Sequence, residues 1–280
     1  MKKFTITTDN AILYGNISGN PNAKDILVTL HGGPGGNKED MQKLNVCQKL
    51  EQDYLLVYFD QRGCGESVYD LRLGLKLEVL INDVKCVIDY IKVLYPTIPI
   101  SLLGFSYGGF LGFSFLEKYP DSVTRYMACN PAITFSPQEA IAFTKRNQER
   151  YQKRFPTIQT TNIDIMDAME SRAFIDFVFS SSNTSHSLRY VYAIKEWFFT
   201  KNFTNILKNI TTPTLIQQGR LDSICDESSL HQALNTFQNK LIQYFCLDTC
   251  CHDIDDVNSD TVVKNITAFI KNTKKENYND

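Results

Sequence analysis

The chain has 280 residues, enough for one large core with an insertion, and a formal net charge of −2, which excludes a general attraction to nucleic acid or anionic lipid. No apolar run approaches the ~20 residues a membrane-spanning helix needs, and Met-Lys-Lys-Phe is not followed by the apolar core of a signal peptide. Eight cysteines without an export signal read as reduced thiols in a cytoplasmic protein.

In chain order, Phe4 to Thr8 and Ala11 to Ile17 are strand-like runs joined by a turn at Asp9-Asn10. Asp25 to Leu30 reads as a buried strand ending in His31-Gly32-Gly33-Pro34-Gly35-Gly36. A helix is predicted across Glu39 to Leu50, then a strand over Tyr54 to Phe59 that ends in Asp60-Gln61-Arg62-Gly63-Cys64-Gly65-Glu66-Ser67. Leu80, Val84, Val87, Ile88, Ile91 and Leu94 recur at helical spacing. The apolar run Ile98 to Leu103, the turn Gly104-Phe105-Ser106-Tyr107-Gly108-Gly109 and a helix over Phe110 to Tyr119 follow. Val123 to Cys129 is a further strand. Residues 132 to 210 lose the alternation and carry mostly helical patterns, such as Glu139 to Arg154 and Leu188 to Phe199. Order returns with a strand at Thr214 to Gln218, a helix at Glu227 to Phe237, a strand at Leu241 to Leu247 and a helix at Val257 to Ile270. The polar tail from Lys271 is expected to fray. Alternating strands and helices predict a mostly parallel sheet of eight strands, with helices on both faces. The domain division is a core of 1–131 and 211–280 and a helical cap, 132–210, inserted after the sixth strand and lying over the sheet's carboxyl edge.

Strand, Gly-x-Ser-x-Gly, helix is the context of a nucleophile elbow, with Ser106 on a sharp turn and small neighbours two positions away. A serine hydroxyl needs a base, and imidazole titrates near neutrality. Of the four histidines, His31 lies in the glycine loop, His186 in the insertion and His231 in a helix. His252 follows the last strand, so it is the predicted base. Asp222, on the loop after the strand at 214–218, is the predicted acid that orients it. Asp226 and Asp248 are neighbours, and Asp248 is the rival. The developing oxyanion needs fixed donors. Pro34 has no N–H, so the backbone of Gly33 is assigned, together with that of Tyr107 just after the nucleophile. Phosphate-cradling patterns are missing from the glycine loop. Cys246, Cys250, Cys251 and His252 include zinc-type ligands, but they contain no Cys-x-x-Cys pair, and a ligated His252 could not act as a base. No metal and no cofactor are therefore expected. Cys64 is expected close to the pocket, at the same sheet edge as Ser106.

The ordered set HGGPGG, DQRGCGES, GFSYGG, GRLD and CHD resembles the α/β-hydrolase superfamily and, within it, the proline iminopeptidase group of serine peptidases. The resemblance covers nearly all of residues 1–131 and 211–270. It implies the α/β-hydrolase fold with a cap, a Ser106–Asp222–His252 triad and an oxyanion hole at Gly33 and Tyr107. It also implies release of an N-terminal residue, often proline, from short peptides. In that group cap glutamates recognise the free amine; here the cap offers Glu170 and Glu196, with Trp197 as an aromatic wall. Two features depart from the group: Tyr107 stands where tryptophan is common, and Cys251 where glycine usually precedes the histidine. An esterase, lactonase or amidase acting on a small molecule is the alternative, and a non-catalytic ligand-binding relative is a third. The expected partner is a small molecule or short peptide, with no nucleic acid and no membrane.

Overall fold

The computed structural model describes residues 1–154, 179, 186–254 and 256–276. Eight strands form one sheet: β1 (Lys2–Thr8), β2 (Ala11–Gly19), β3 (Ile26–Leu30), β4 (Leu55–Phe59), β5 (Ile100–Phe105), β6 (Arg125–Cys129), β7 (Thr214–Gly219) and β8 (Ile242–Leu247), in spatial order β1-β2-β4-β3-β5-β6-β7-β8. β2 runs antiparallel to β1 and β4, and every other pairing is parallel. The β1–β2 turn is tight because Asn10 takes φ +60°, a left-handed conformation that asparagine tolerates. β3, β4, β5 and β6 are buried along their whole length, which explains why they lack the in–out alternation of a half-exposed strand.

Both sheet faces are covered. Ile26, Val28 and Leu102 pack beneath α3 (Leu77–Leu94) and α4 (Tyr107–Lys118) on one side. Leu27, Leu56 and Leu103 pack beneath α1 (Lys38–Lys43), α2 (Asn45–Leu50) and the last helix, α9 (Asp256–Glu276), on the other. Each such side chain contributes about 1.5–3 kcal/mol relative to full exposure. This is the architecture of the α/β-hydrolases, as expected, with two local differences. The helix predicted over Glu39 to Leu50 is broken: Leu44 takes an extended conformation, ψ 127°, and ends α1 before α2 begins. The tail beyond Lys271 does not fray at once, because α9 continues to Glu276, with Thr273 bonded back to the carbonyl of Phe269 at 2.9 Å.

The cap after β6 contains α5 (Pro137–Arg154), α6 (His186–Phe198) and α7 (Thr204–Asn209) among the described residues. Its two stems meet at a neck. Thr134 and Asn202 form a β-bridge, and the Phe203 N–H donates to the Thr134 carbonyl at 2.9 Å. α6 docks on the core through aromatic rings, with Phe198 5.4 Å from Tyr107 and 5.3 Å from Phe110. Ser187 donates to the carbonyl of Pro34 at 2.6 Å, seating the start of α6 on the glycine loop.

Candidate active site

Five strand ends meet at the site. Leu30 pairs with Gly104 and Phe105 with Cys129, so the loops after β3, β5 and β6 emerge side by side at the carboxyl edge. Gly219 pairs with Leu247, which brings the loops after β7 and β8 to the same edge.

Ser106 sits between β5 and α4 with φ +53° and ψ −116°, a strained backbone for a residue with a Cβ. Crowding enforces the glycines of the motif. A Cβ on Gly108 would lie 2.0 Å from the carbonyl oxygen of Leu30, and one on Gly104 would lie 2.5 Å from that of Gly108. The elbow is pinned by its own main chain: Ser106 N–H donates to Cys129 at 3.0 Å, and Ser106 O accepts from Ala132 at 3.0 Å.

The Nε2 of His252 lies 2.9 Å from Ser106 Oγ, and its Nδ1 lies 2.8 Å from Asp222 Oδ2. A carboxylate at Nδ1 places the ring proton there, which leaves Nε2 to accept from the serine hydroxyl. The Asp222 carboxyl is fully buried. Its Oδ1 accepts the N–H groups of Ile224 and Cys225 at 2.8 and 2.9 Å, and its Oδ2 also accepts Gln218 Nε2 at 2.9 Å. Burial by itself would raise the carboxyl's pKa. The bond and charge of His252 and the two main-chain donors outweigh it and hold the group below its ordinary value. Asp248 is elsewhere, bonded to Arg220 at 2.8 Å and largely exposed. Asp226 caps α8 (Glu227–Phe237).

Gly33 lines the cavity with Ser106 and His252. Its φ of +131° suits glycine alone. Tyr107 is the first residue of α4, so its N–H has no acceptor within the helix. Other groups fix the glycine loop from below. Nε2 of His31 accepts the Gln61 N–H at 3.1 Å, and Gln61 Nε2 donates back to the His31 carbonyl at 2.9 Å. Asp60 accepts from Lys38 Nζ at 2.7 Å and from the Lys38 and Glu66 N–H groups at 2.8 and 2.9 Å. Burial would lower the Lys38 pKa, but its bonds to Asp60 and Glu66 raise it above the ordinary value. Breaking one partner of such a buried pair costs about 3–5 kcal/mol. Arg62 grips Asp83 with two bonds of 2.8 Å. The DQRG run is thus a clamp between loops.

Several sequence expectations do not come together here. Glu170 lies outside the described residues. Glu196 is exposed and does not line the cavity at Ser106. Trp197 is a cap anchor, its Nε1 donating to Leu75 O at 2.6 Å and its ring 5.6 Å from Phe110. Cys64 is fully buried and does not line that cavity; burial pushes its thiol pKa well up. Sequence reading missed Asn130. This buried residue at φ +47° donates to the carbonyls of Cys251 and His252 at 3.0 and 2.7 Å, and accepts from Gly219 N–H at 2.8 Å. The one available signal was Asn-Pro after a buried strand, which marks a turn and nothing more.

A nucleophile-type serine on a strained turn, hydrogen-bonded to imidazole at the carboxyl edge of this sheet, defines a serine hydrolase of the α/β-hydrolase type. Residues 21–255 match the family model described as serine aminopeptidase, S33, and the chain belongs to that family. Similar curated proteins include the monoglyceride lipase of Homo sapiens, 22% identical over 78% of this chain and 71% of the lipase. A proline iminopeptidase of Pestalotiopsis fici is 22% identical over 90% of this chain and 93% of its own. Among solved structures, an esterase of Pyrococcus furiosus superposes with TM-score 0.70 at 18% identity, covering 97% of this chain and 90% of that one. The proline iminopeptidase of Mycobacterium smegmatis superposes with TM-score 0.64 at 16% identity, covering 97% and 98%.

Proposed function

We propose that this protein hydrolyses acyl bonds through an acyl-enzyme on Ser106, and that its substrates are short peptides from which it releases the N-terminal residue, proline among them. The observation that carries the hydrolytic part is the unbroken line Ser106 Oγ, His252, Asp222, at 2.9 and 2.8 Å. Ser106 attacks the carbonyl carbon while His252 Nε2 takes its proton. The N–H groups of Gly33 and Tyr107 receive the negative charge on the carbonyl oxygen. His252 then protonates the departing amine, and the bond to it breaks. Water, deprotonated by the same imidazole, releases the acyl group and restores Ser106. Asp222 keeps the ring in the productive tautomer and stabilises its cation.

The peptide part is supported by the family match and by the proline iminopeptidases among the relatives. A second reading, an esterase, lactonase or amidase for a small molecule, is favoured by one feature: the cavity at Ser106 has apolar walls, including Met41, Val46 and Phe105. Aminoacyl arylamides and simple esters assayed side by side decide between them. Cleavage of arylamides with a free amine, lost on N-acetylation, supports the peptidase; rapid cleavage of acetylated substrates and esters alone supports the second reading. Failure of Ser106 to label with a fluorophosphonate removes both and leaves a non-catalytic binding protein. No disulfide joins any of the eight cysteines, which suits work in a reducing compartment such as the cytoplasm.

A further inference from the structure

A cavity of about 310 Å³ opens on Ser106 from the side of α1 and α2, and no described cap residue lines it. Its volume is at the low end of small-molecule sites, roughly 300–1,000 Å³, which suits one residue rather than a length of peptide. The break at Leu44 lies on it. Met41 of α1, Leu44 at the break and Val46 of α2 all line it. Ile254, two residues after His252, lies on the same cavity, beside the reacting groups.

The same cavity has a sign. Asp40 and Asp253 both line it and both are exposed, and no lysine or arginine is among its described lining residues. One oxygen of Asp40 accepts the Asn37 N–H at 3.2 Å. An apolar chamber lined by two carboxylates attracts an ammonium and repels a carboxylate.

We propose that this chamber holds the residue that is released. Its aliphatic side chain lies against Met41, Leu44, Val46 and Ile254, and its free α-ammonium faces Asp40 and Asp253. The proposal rests on the aminopeptidase reading above and names its substrate class: uncapped short peptides that begin with a leucine-sized apolar residue.

The test compares four p-nitrophenyl substrates: the anilides of leucine, of alanine and of isocaproic acid, which is leucine without its amine, and the isocaproyl ester. The wild type should favour the leucine anilide over the isocaproyl anilide by at least about tenfold in kcat/KM. In Asp40→Asn/Asp253→Asn that ratio should fall about tenfold. Ile254→Trp, and independently Leu44→Trp, should raise KM for the leucine anilide more than for the alanine anilide, with circular dichroism confirming the fold. A wild type that cleaves the leucine anilide, with both ratios unmoved in the variants, overturns the chamber and leaves the aminopeptidase reading standing. A wild type that cleaves the isocaproyl ester but no aminoacyl anilide overturns the aminopeptidase reading and the proposal with it.

Discussion

The side-chain amide of Asn130 donates to the main-chain oxygen of His252 at 2.7 Å. The same amide group donates to Cys251 and accepts from Gly219, so one residue at the end of β6 ties the loop that bears the histidine to the strand that leads to Asp222. The imidazole is therefore held from the ring side by Asp222 and from the backbone side by Asn130.

Asn130→Gly is the clean test of that tie, because glycine keeps the φ of +47° without strain and removes only the amide. A histidine loop displaced by about 1 Å can cost about a hundredfold in rate. We expect kcat to fall between about tenfold and that value, with KM nearly unchanged. A KM effect with normal kcat would show that Asn130 serves the pocket instead.

Ser106→Ala should leave the fold intact and lower kcat by on the order of 10⁶. Asp222→Asn should lower it by about 10⁴, because the ring then loses its tautomer. Asp248→Asn should do little, since Asp248 pairs with Arg220 at the exposed surface. Steady-state kinetics on any turned-over ester measure all three, and a crippled Asp248 variant would refute the assignment of the acid.

Stability should decline in mild acid. Burial is the largest influence on His31 and lowers its pKa, against the opposing pull of the Gly32 carbonyl and the Asp60 charge. His186 is lowered in the same direction, first by burial and then by Arg189. With folded values below the ordinary ~6.5, the unfolded chain takes up the protons first. The contribution is complete above pH ~6.5 and is lost as pH drops from there towards the folded values. Protonation of His31 would also turn the acceptor of the Gln61 N–H into a donor. The urea midpoint should fall between about pH 7.5 and about pH 5.5, and less steeply in His31→Gln. An equal slope in that variant would place the titration elsewhere.

Thiol reagents should act through Cys251. It is exposed and adjoins His252, whereas Cys64 is buried with its thiol held protonated, first by burial and then by the charge of Asp60. A bulky maleimide should slow turnover of the wild type and of Cys64→Ser, and should spare Cys251→Ser. Mass mapping of the adduct checks the site directly.

The succession of strands and helices along the chain, and the insertion after the sixth strand, were legible because β3 to β6 are buried on both faces and carry few polar residues, with turn-forming glycine or proline in the loops that follow. Ser106, Asp222 and His252 were legible because each sits just past a strand, where chain order alone indicates the loop. The break at Leu44 was not: Met41, Leu44 and Leu50 keep an apolar side at helical spacing straight across it. Asn130 was hidden for a different reason. Its three bonds go to main-chain groups of Gly219, Cys251 and His252, about 90 to 120 residues away, and main-chain partners leave no mark on the residue types. The amine-recognising residues were sought in the cap by resemblance: Glu170 lies outside the described residues, Glu196 is exposed, and the carboxylates among the described lining of the cavity at Ser106 belong to α1 and to the loop after β8.

The neck at Thr134 and Asn202 has an evolutionary reading. Because both stems of the cap leave and return through a single bridged point, everything between them can be lengthened, shortened or exchanged without moving the ends of β6 and β7. Selection on substrate preference is thereby uncoupled from selection on the chemistry below. The uncoupling is incomplete where the cap grips the core: Phe198 covers Tyr107 and Phe110, Trp197 bonds to Leu75 and Ser187 to Pro34, so any replacement cassette must bring an aromatic plug of its own or leave the elbow helix greasy and exposed.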